Sequence, residues 1–127
     1  LLVDGQPLFV HLARMTAAWG EGLKGGSGYS SVGAVVGATQ PQDAVKIREI
    51  LPKAFFLVPG YGAQGAGAAE IKSCFTPDGT GAIVNASRSV IFAHEDPKYK
   101  ECCADDWRVC VTQACEAFVA SIRSALP

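Results

Sequence analysis

Two short stretches concentrate the residues able to hold an anion. Pro59-Gly60-Tyr61-Gly62-Ala63-Gln64-Gly65 offers main-chain N–H groups that glycine leaves unshielded and, at Gln64, an amide donor. Asn85-Ala86-Ser87-Arg88-Ser89 offers a guanidinium that can fork onto a phosphate, and Ser87 and Arg88 amides that can point at its oxygens. Each stretch follows an apolar run, and ligands of parallel α/β folds sit at the carboxyl ends of strands. Taken together the two loops predict one phosphate site.

Competing chemistry is weaker. Gly60-x-Gly62-x-x-Gly65 fits the dinucleotide fingerprint, which also wants an acidic residue about 20 positions on; Asn85-Ala86-Ser87 ends the next strand instead. No Gly-Lys-Ser/Thr sequence supports a P-loop. As plain turns the loops would need fewer glycines than Gly60, Gly62, Gly65 and Gly67, although Arg88 could then pair with a surface carboxylate. Cys74, Cys102, Cys103, Cys110 and Cys115 form no Cys-x-x-Cys pair, and His11 and His94 lie far apart. No metal is expected; the thiols read as reduced packing residues of a cytosolic protein, and the histidines as surface or satisfied core residues.

The elements that must position these loops follow from apolar periodicity. Leu8, Leu12, Met15 and Trp19 predict a helix over Pro7 to Trp19, with Asp4 or Gly5 as cap and Gly20 as stop. Gly22 to Ser31 reads as an exposed loop before a strand at Val32 to Val36. Thr39 to Leu51 predicts a helix capped by Thr39, with Ala44, Ile47, Ile50 and Leu51 on one face. Phe55 to Val58 is a second strand, Ala66 to Phe75 a short helix and Ala82 to Asn85 a third strand. Ala104 to Leu126 predicts a long helix with Trp107, Val111, Ala114, Cys115, Phe118, Val119 and Ile122 on its stripe. Apolar strands alternating with helices indicate a parallel sheet covered by helices.

Composition bounds the rest. The 127 residues are 49% hydrophobic and 18% charged, with eleven Lys+Arg against twelve Asp+Glu for a formal charge of −1. Scattered basic residues exclude a nucleic-acid or anionic-lipid footprint and favour a small-molecule partner. No apolar run approaches a membrane span, and Leu1-Leu2-Val3-Asp4-Gly5 lacks the regions of a signal peptide. Three strands leave both sheet edges open and bury little apolar surface, and a chain opening on a helix is expected to lack the preceding strand. The expectation is therefore a portion of a (β/α)8 barrel, whose phosphate sites use the loops after strands seven and eight.

Val36-Gly37-Ala38-Thr39-Gln40-Pro41, Phe56-Leu57-Val58-Pro59-Gly60-Tyr61-Gly62-Ala63-Gln64-Gly65 and Ala82-Ile83-Val84-Asn85-Ala86-Ser87-Arg88-Ser89-Val90-Ile91 resemble three successive signatures of the orotidine 5'-monophosphate (OMP) decarboxylases. The second major bacterial-type group, also found in some eukaryotic fusions, is the most similar, and Asp4-Gly5-Gln6-Pro7-Leu8-Phe9 fits it too. The resemblance implies that residues 1–127 are the C-terminal portion of one TIM barrel, with strands one to five absent and the visible strands the sixth to eighth. It implies that Gln64, Ser87 and Arg88 bind the substrate phosphate, that Pro59, Gly60 and Gly62 line the pocket, and that Thr39 sits at its mouth. It implies a cytoplasmic lyase of pyrimidine biosynthesis taking OMP to UMP and CO2 without a cofactor, homodimeric when complete, and open to fusion with orotate phosphoribosyltransferase.

The family's catalytic Asp-x-Lys-x-x-Asp array and an earlier Lys are missing, so the segment alone is expected to be inactive. Asp96-Pro97-Lys98-Tyr99-Lys100-Glu101 imitates the spacing but follows no apolar strand and reads as solvated charge. Alternatives are a related barrel enzyme acting on a sugar phosphate, or a non-catalytic phosphate-binding or assembly fragment.

Overall fold

The computed structural model describes residues 1–62, 67–100 and 106–126. It opens on a hairpin, β1 (Leu2–Val3) and β2 (Gln6–Pro7), paired Leu2 to Pro7 and Val3 to Gln6. The turn is Asp4-Gly5, whose φ angles of 48° and 75° give the two left-handed residues a two-residue hairpin needs. These residues therefore turn a hairpin and do not cap the first helix, whose N-cap is Pro7.

Helix α1 (Leu8–Gly20) buries Val10, Ala13 and Gly20, while Leu12, Met15 and Trp19 of the expected stripe stay about half exposed or more, Trp19 at 61%. The small residues let the helix lie close on the sheet, so the contact face is the one with less apolar bulk. Strand β3 (Ser30–Val35) leads to α2 (Pro41–Ile50), whose N-cap is Gln40 with Pro41 in the first turn; Thr39 lies outside the helix and does not cap it. Strand β4 (Ala54–Val58) is followed by α3 (Ala68–Ile71), which tightens into a 3-10 turn over Lys72–Cys74. Then come β5 (Ala82–Val84), α4 (Arg88–Ile91), a 3-10 turn at Ala93–Glu95, α5 (Pro97–Lys100) and α6 (Trp107–Ala125). Asp106 starts α6 by accepting the Arg108 N–H at 3.0 Å. On α6, Cys110 and Ala114 are buried, whereas Trp107 and Cys115 of the expected stripe face out.

The sheet has the order β3-β4-β5, all parallel, so each strand lies beside the next in sequence. One face packs on α1, α2 and α3 around Phe56, Val58, Ile71 and Cys74, none of them measurably exposed, with Ile122 of α6 at the margin. The other face is apolar but open. Val35, Leu57 and Ile83 are paired neighbours across it and are 69%, 43% and 57% exposed. The strands were expected to be buried on both faces; among the described residues only one face is covered, and the residues of the other have the chemistry of a second buried layer. No helix among the described residues is long and apolar enough to cross a membrane.

Candidate functional site

Because β4 and β5 are adjacent and parallel, the loops leaving their carboxyl ends emerge side by side. The Asn85 N–H donates to the Val58 carbonyl at 3.3 Å, carrying the pairing one step beyond β5. Gly60 and Gly62 then have φ of 91° and 72°, a region closed to most side chains, which lets the chain turn sharply out of β4. That turn sets Gly62 against the start of α4: a Cβ there would lie 3.9 Å from Ser89 Oγ. The two stretches singled out by sequence thus lie side by side at Gly62 and Ser89.

Pro59 and Gly60 are half-buried beneath this contact, and Gly62, Ser87, Arg88 and Ser89 are exposed on it. The N–H groups of Ser87, Arg88 and Ser89 donate to no partner among the described residues, as expected at the first turn of a helix. Arg88 makes no ion pair with a described residue and lines an open hollow with Phe92, Glu95 and Asp96. Thr39 is exposed just past β3, on the same edge of the sheet. Gln64 lies outside the described residues, so of the expected pair only the Arg88 side can be placed.

The opposite edge of the sheet carries a different kind of polar cluster. The Thr76 and Thr80 hydroxyls donate to Asp78 Oδ1 at 2.5 and 2.7 Å and hold its carboxyl down to about 2. The Tyr29 hydroxyl, 2.8 Å from Thr80 Oγ1 and 3.4 Å from Thr76 Oγ1, is lowered by the same contacts, and its ring stacks on Phe55. Arg48, on α2, sends its guanidinium to four main-chain carbonyls there. At the amino ends of barrel strands such groups hold the scaffold and not the ligand.

Sequence reasoning missed Arg48, although its place on the Ala44–Leu51 face was a signal: a lone cation on an apolar stripe needs acceptors. It also missed Tyr61, read only as part of a glycine loop. Among the titratable residues, His11 Nε2 donates to the Val3 carbonyl at 2.9 Å and so ties the hairpin to α1. His94 is part-exposed, with Nε2 3.8 Å from Glu95 Oε1, and its Nδ1 is buried with no hydrogen-bond partner among the described residues. Cys74 and Cys115 are free, and burial pushes the Cys74 thiol up, whereas Cys110 is disulfide-bonded; the expectation of reduced thiols fails there. Among the described residues no group of three His, Cys, Asp or Glu could hold a metal. Of the Asp96–Glu101 stretch, Pro97–Lys100 form α5, Asp96 Oδ1 accepts the Lys98 N–H, and Glu101 lies outside the described residues.

Consecutive parallel β/α units, helices on one face, an open apolar layer on the other and paired loops at one edge define part of an α/β barrel. No protein-family model matches the chain. Over 96 residues it is 48% identical to the orotidine 5'-phosphate decarboxylase of Caldicellulosiruptor bescii, covering 76% of this chain and 32% of that one. A solved Leishmania donovani OMP decarboxylase superposes with a TM-score of 0.63 at 27% identity, over 96% of this chain and 40% of that one. The UMP synthase of the same organism gives 0.65 at 31%, over 97% and 24%. The chain belongs to the orotidine 5'-phosphate decarboxylase family, and it spans about a third of the length of the curated relatives it matches.

Proposed function

We propose that this chain is the C-terminal portion of a (β/α)8 barrel that decarboxylates OMP to UMP, with β3, β4 and β5 as its sixth to eighth strands. In this reading the chain supplies the phosphate-binding end of the active site. Arg88, Gln64 and the Ser87 and Arg88 N–H groups hold the phosphate, and Pro59, Gly60, Gly62 and Thr39 line the pocket. The observation that carries the reading is the approach of Gly62 to Ser89, beside N–H groups next to Arg88 that have no partner among the described residues.

The phosphate takes no part in bond breaking. Its binding energy can be used at a distance, to close loops and exclude water around the pyrimidine, so the grip contributes to rate as well as affinity. When CO2 leaves C6 the electron pair stays on carbon; a preorganised cationic Lys outside this chain stabilises it and then delivers the proton. The same reading gives a cytoplasmic enzyme of pyrimidine biosynthesis, a homodimer of complete barrels, and a barrel open to fusion with orotate phosphoribosyltransferase. The superposition on a UMP synthase favours that last point.

The test is Arg88→Ala in the complete barrel. It is expected to lower kcat/KM for OMP by about 2 to 5 kcal/mol of transition-state binding, the range for removing one member of a buried charge pair. An unchanged kcat/KM refutes the assignment. This chain alone should show no turnover. Tight binding of sugar phosphates with none of UMP would move the reading to another phosphate-binding barrel.

A further inference from the structure

The side chain between the two left-handed glycines does not face the anion site. Tyr61 turns back onto the last helix, where its hydroxyl lies 2.5 Å from Ser121 Oγ and its ring meets the edge of Phe118 at a centroid distance of 5.0 Å. It is half-buried and packs against the main core, beside which Ile122 of α6 also rests. Ser121 and Phe118 lie one turn apart on α6, so the helix offers a hydroxyl and a ring on the same face.

We infer that Tyr61 and Ser121 are positioning residues, which fix the backbone of Gly60, Tyr61 and Gly62 against α6 so that this turn is held ready beside the phosphate site. This rests on the phosphate-site reading given above. The physical reason lies in the loop itself. Glycines at positions 60 and 62 permit the sharp turn but lose the most conformational freedom on ordering, so they cannot hold it. A phenol locked between them by a hydrogen bond and an aromatic edge contact supplies the missing constraint. The two hydroxyls are paired with each other at α6 and are no part of the proposed phosphate grip, so their effect on binding passes through the turn.

The experiment uses the complete barrel, with UMP and uridine as competitive inhibitors of OMP turnover, alongside Tyr61→Phe, Ser121→Ala and Ser121→Thr. Both hydroxyl deletions should weaken UMP by roughly two- to twelve-fold, the range of one neutral hydrogen bond. Uridine, which has no phosphate, should be unchanged, and Ser121→Thr should restore UMP binding. Equal weakening of both inhibitors shows a merely structural role and overturns the inference, as does no weakening of either. Should Tyr61→Phe fail to fold, Ser121→Ala on the outer helix decides the matter by the same comparison. Arg88→Ala separates the two levels: if it leaves UMP unaffected the phosphate site itself falls, whereas an Arg88 effect without a Tyr61 or Ser121 effect removes only this inference.

Discussion

Replacing Arg48 by Met should cost the barrel more stability than any other single change at the amino edge of the sheet. Arg48 is 9% exposed, on α2, and has no carboxylate partner among the described residues. Its Nη1 donates to the Leu51 and Ala54 carbonyls at 3.0 and 2.8 Å, and its Nη2 to those of Cys74 and Gly81 at 2.5 and 2.8 Å. The guanidinium plane also lies 3.5 Å over the Phe56 ring. One side chain thus ties the end of α2, the start of β4, the turn after α3 and the approach to β5. Burial pushes its pKa down, yet a guanidinium stays protonated, so the charge must be met by carbonyl dipoles.

Removing one partner of a buried ionic contact costs about 3 to 5 kcal/mol. Here the Leu51 and Gly81 carbonyls also accept from the Ala54 and Phe56 N–H groups, so they are not orphaned. The expected loss is therefore lower, about 2 to 4 kcal/mol, which is a fall in Tm of about 4 to 16 °C. Arg48→Lys should recover less than half, because a single ammonium cannot span four carbonyls. Thermal and urea denaturation of the complete barrel read both variants. A Met variant within about 0.5 kcal/mol of the parent, the noise of a surface substitution, would refute the reasoning. So would full recovery by Lys.

Three further outcomes follow from the same geometry. Asp78 is held near 2 against an ordinary 3.8, so its stabilising effect is complete above that ordinary value and lost as pH falls through about 2. Asp78→Asn should remove this contribution, narrowing its Tm difference from the parent between pH 5 and 2; parallel curves would contradict it. Gly33→Ala would place a Cβ 2.5 Å from the Phe55 carbonyl oxygen, and backbone crowding of this kind costs about 1 to 3 kcal/mol. Equal urea midpoints would show that the strand yields. Glu70 Oε2 accepts the Gly67 N–H at 2.8 Å, so Glu70→Ala should cost about 0.5 to 2 kcal/mol, the range of a helix cap, while Glu70→Gln should cost less. Identical Tm values for the two would argue against the cap.

The three core strands were legible because apolar runs such as Phe55-Phe56-Leu57-Val58 are local signals, and parallel pairing follows from helices between them. The sharp turn after the second strand was legible as well, since its glycines announce themselves by residue type. The buried face of α1 was not. Leu12, Met15 and Trp19 have the right spacing, but the sheet packs on the smaller Val10 and Ala13 face, whose side chains let the helix approach closely. Thr39 illustrates the same limit at a terminus: it is a good capping type, yet Pro41 fixes the helix start one residue later, at the Gln40 cap.

Sequence alone determined the three core strands, their alternation with helices and the donor residue types carried by two loops, because backbone preference and side-chain chemistry are properties of short stretches. Tertiary structure decided which distant residues meet: Gly62 with Ser89, Tyr61 with Ser121, and Arg48 with carbonyls from four separate segments. Those meetings depend on how strands align and how near helices can pack, quantities set by the summed shape of many side chains and by no local pattern.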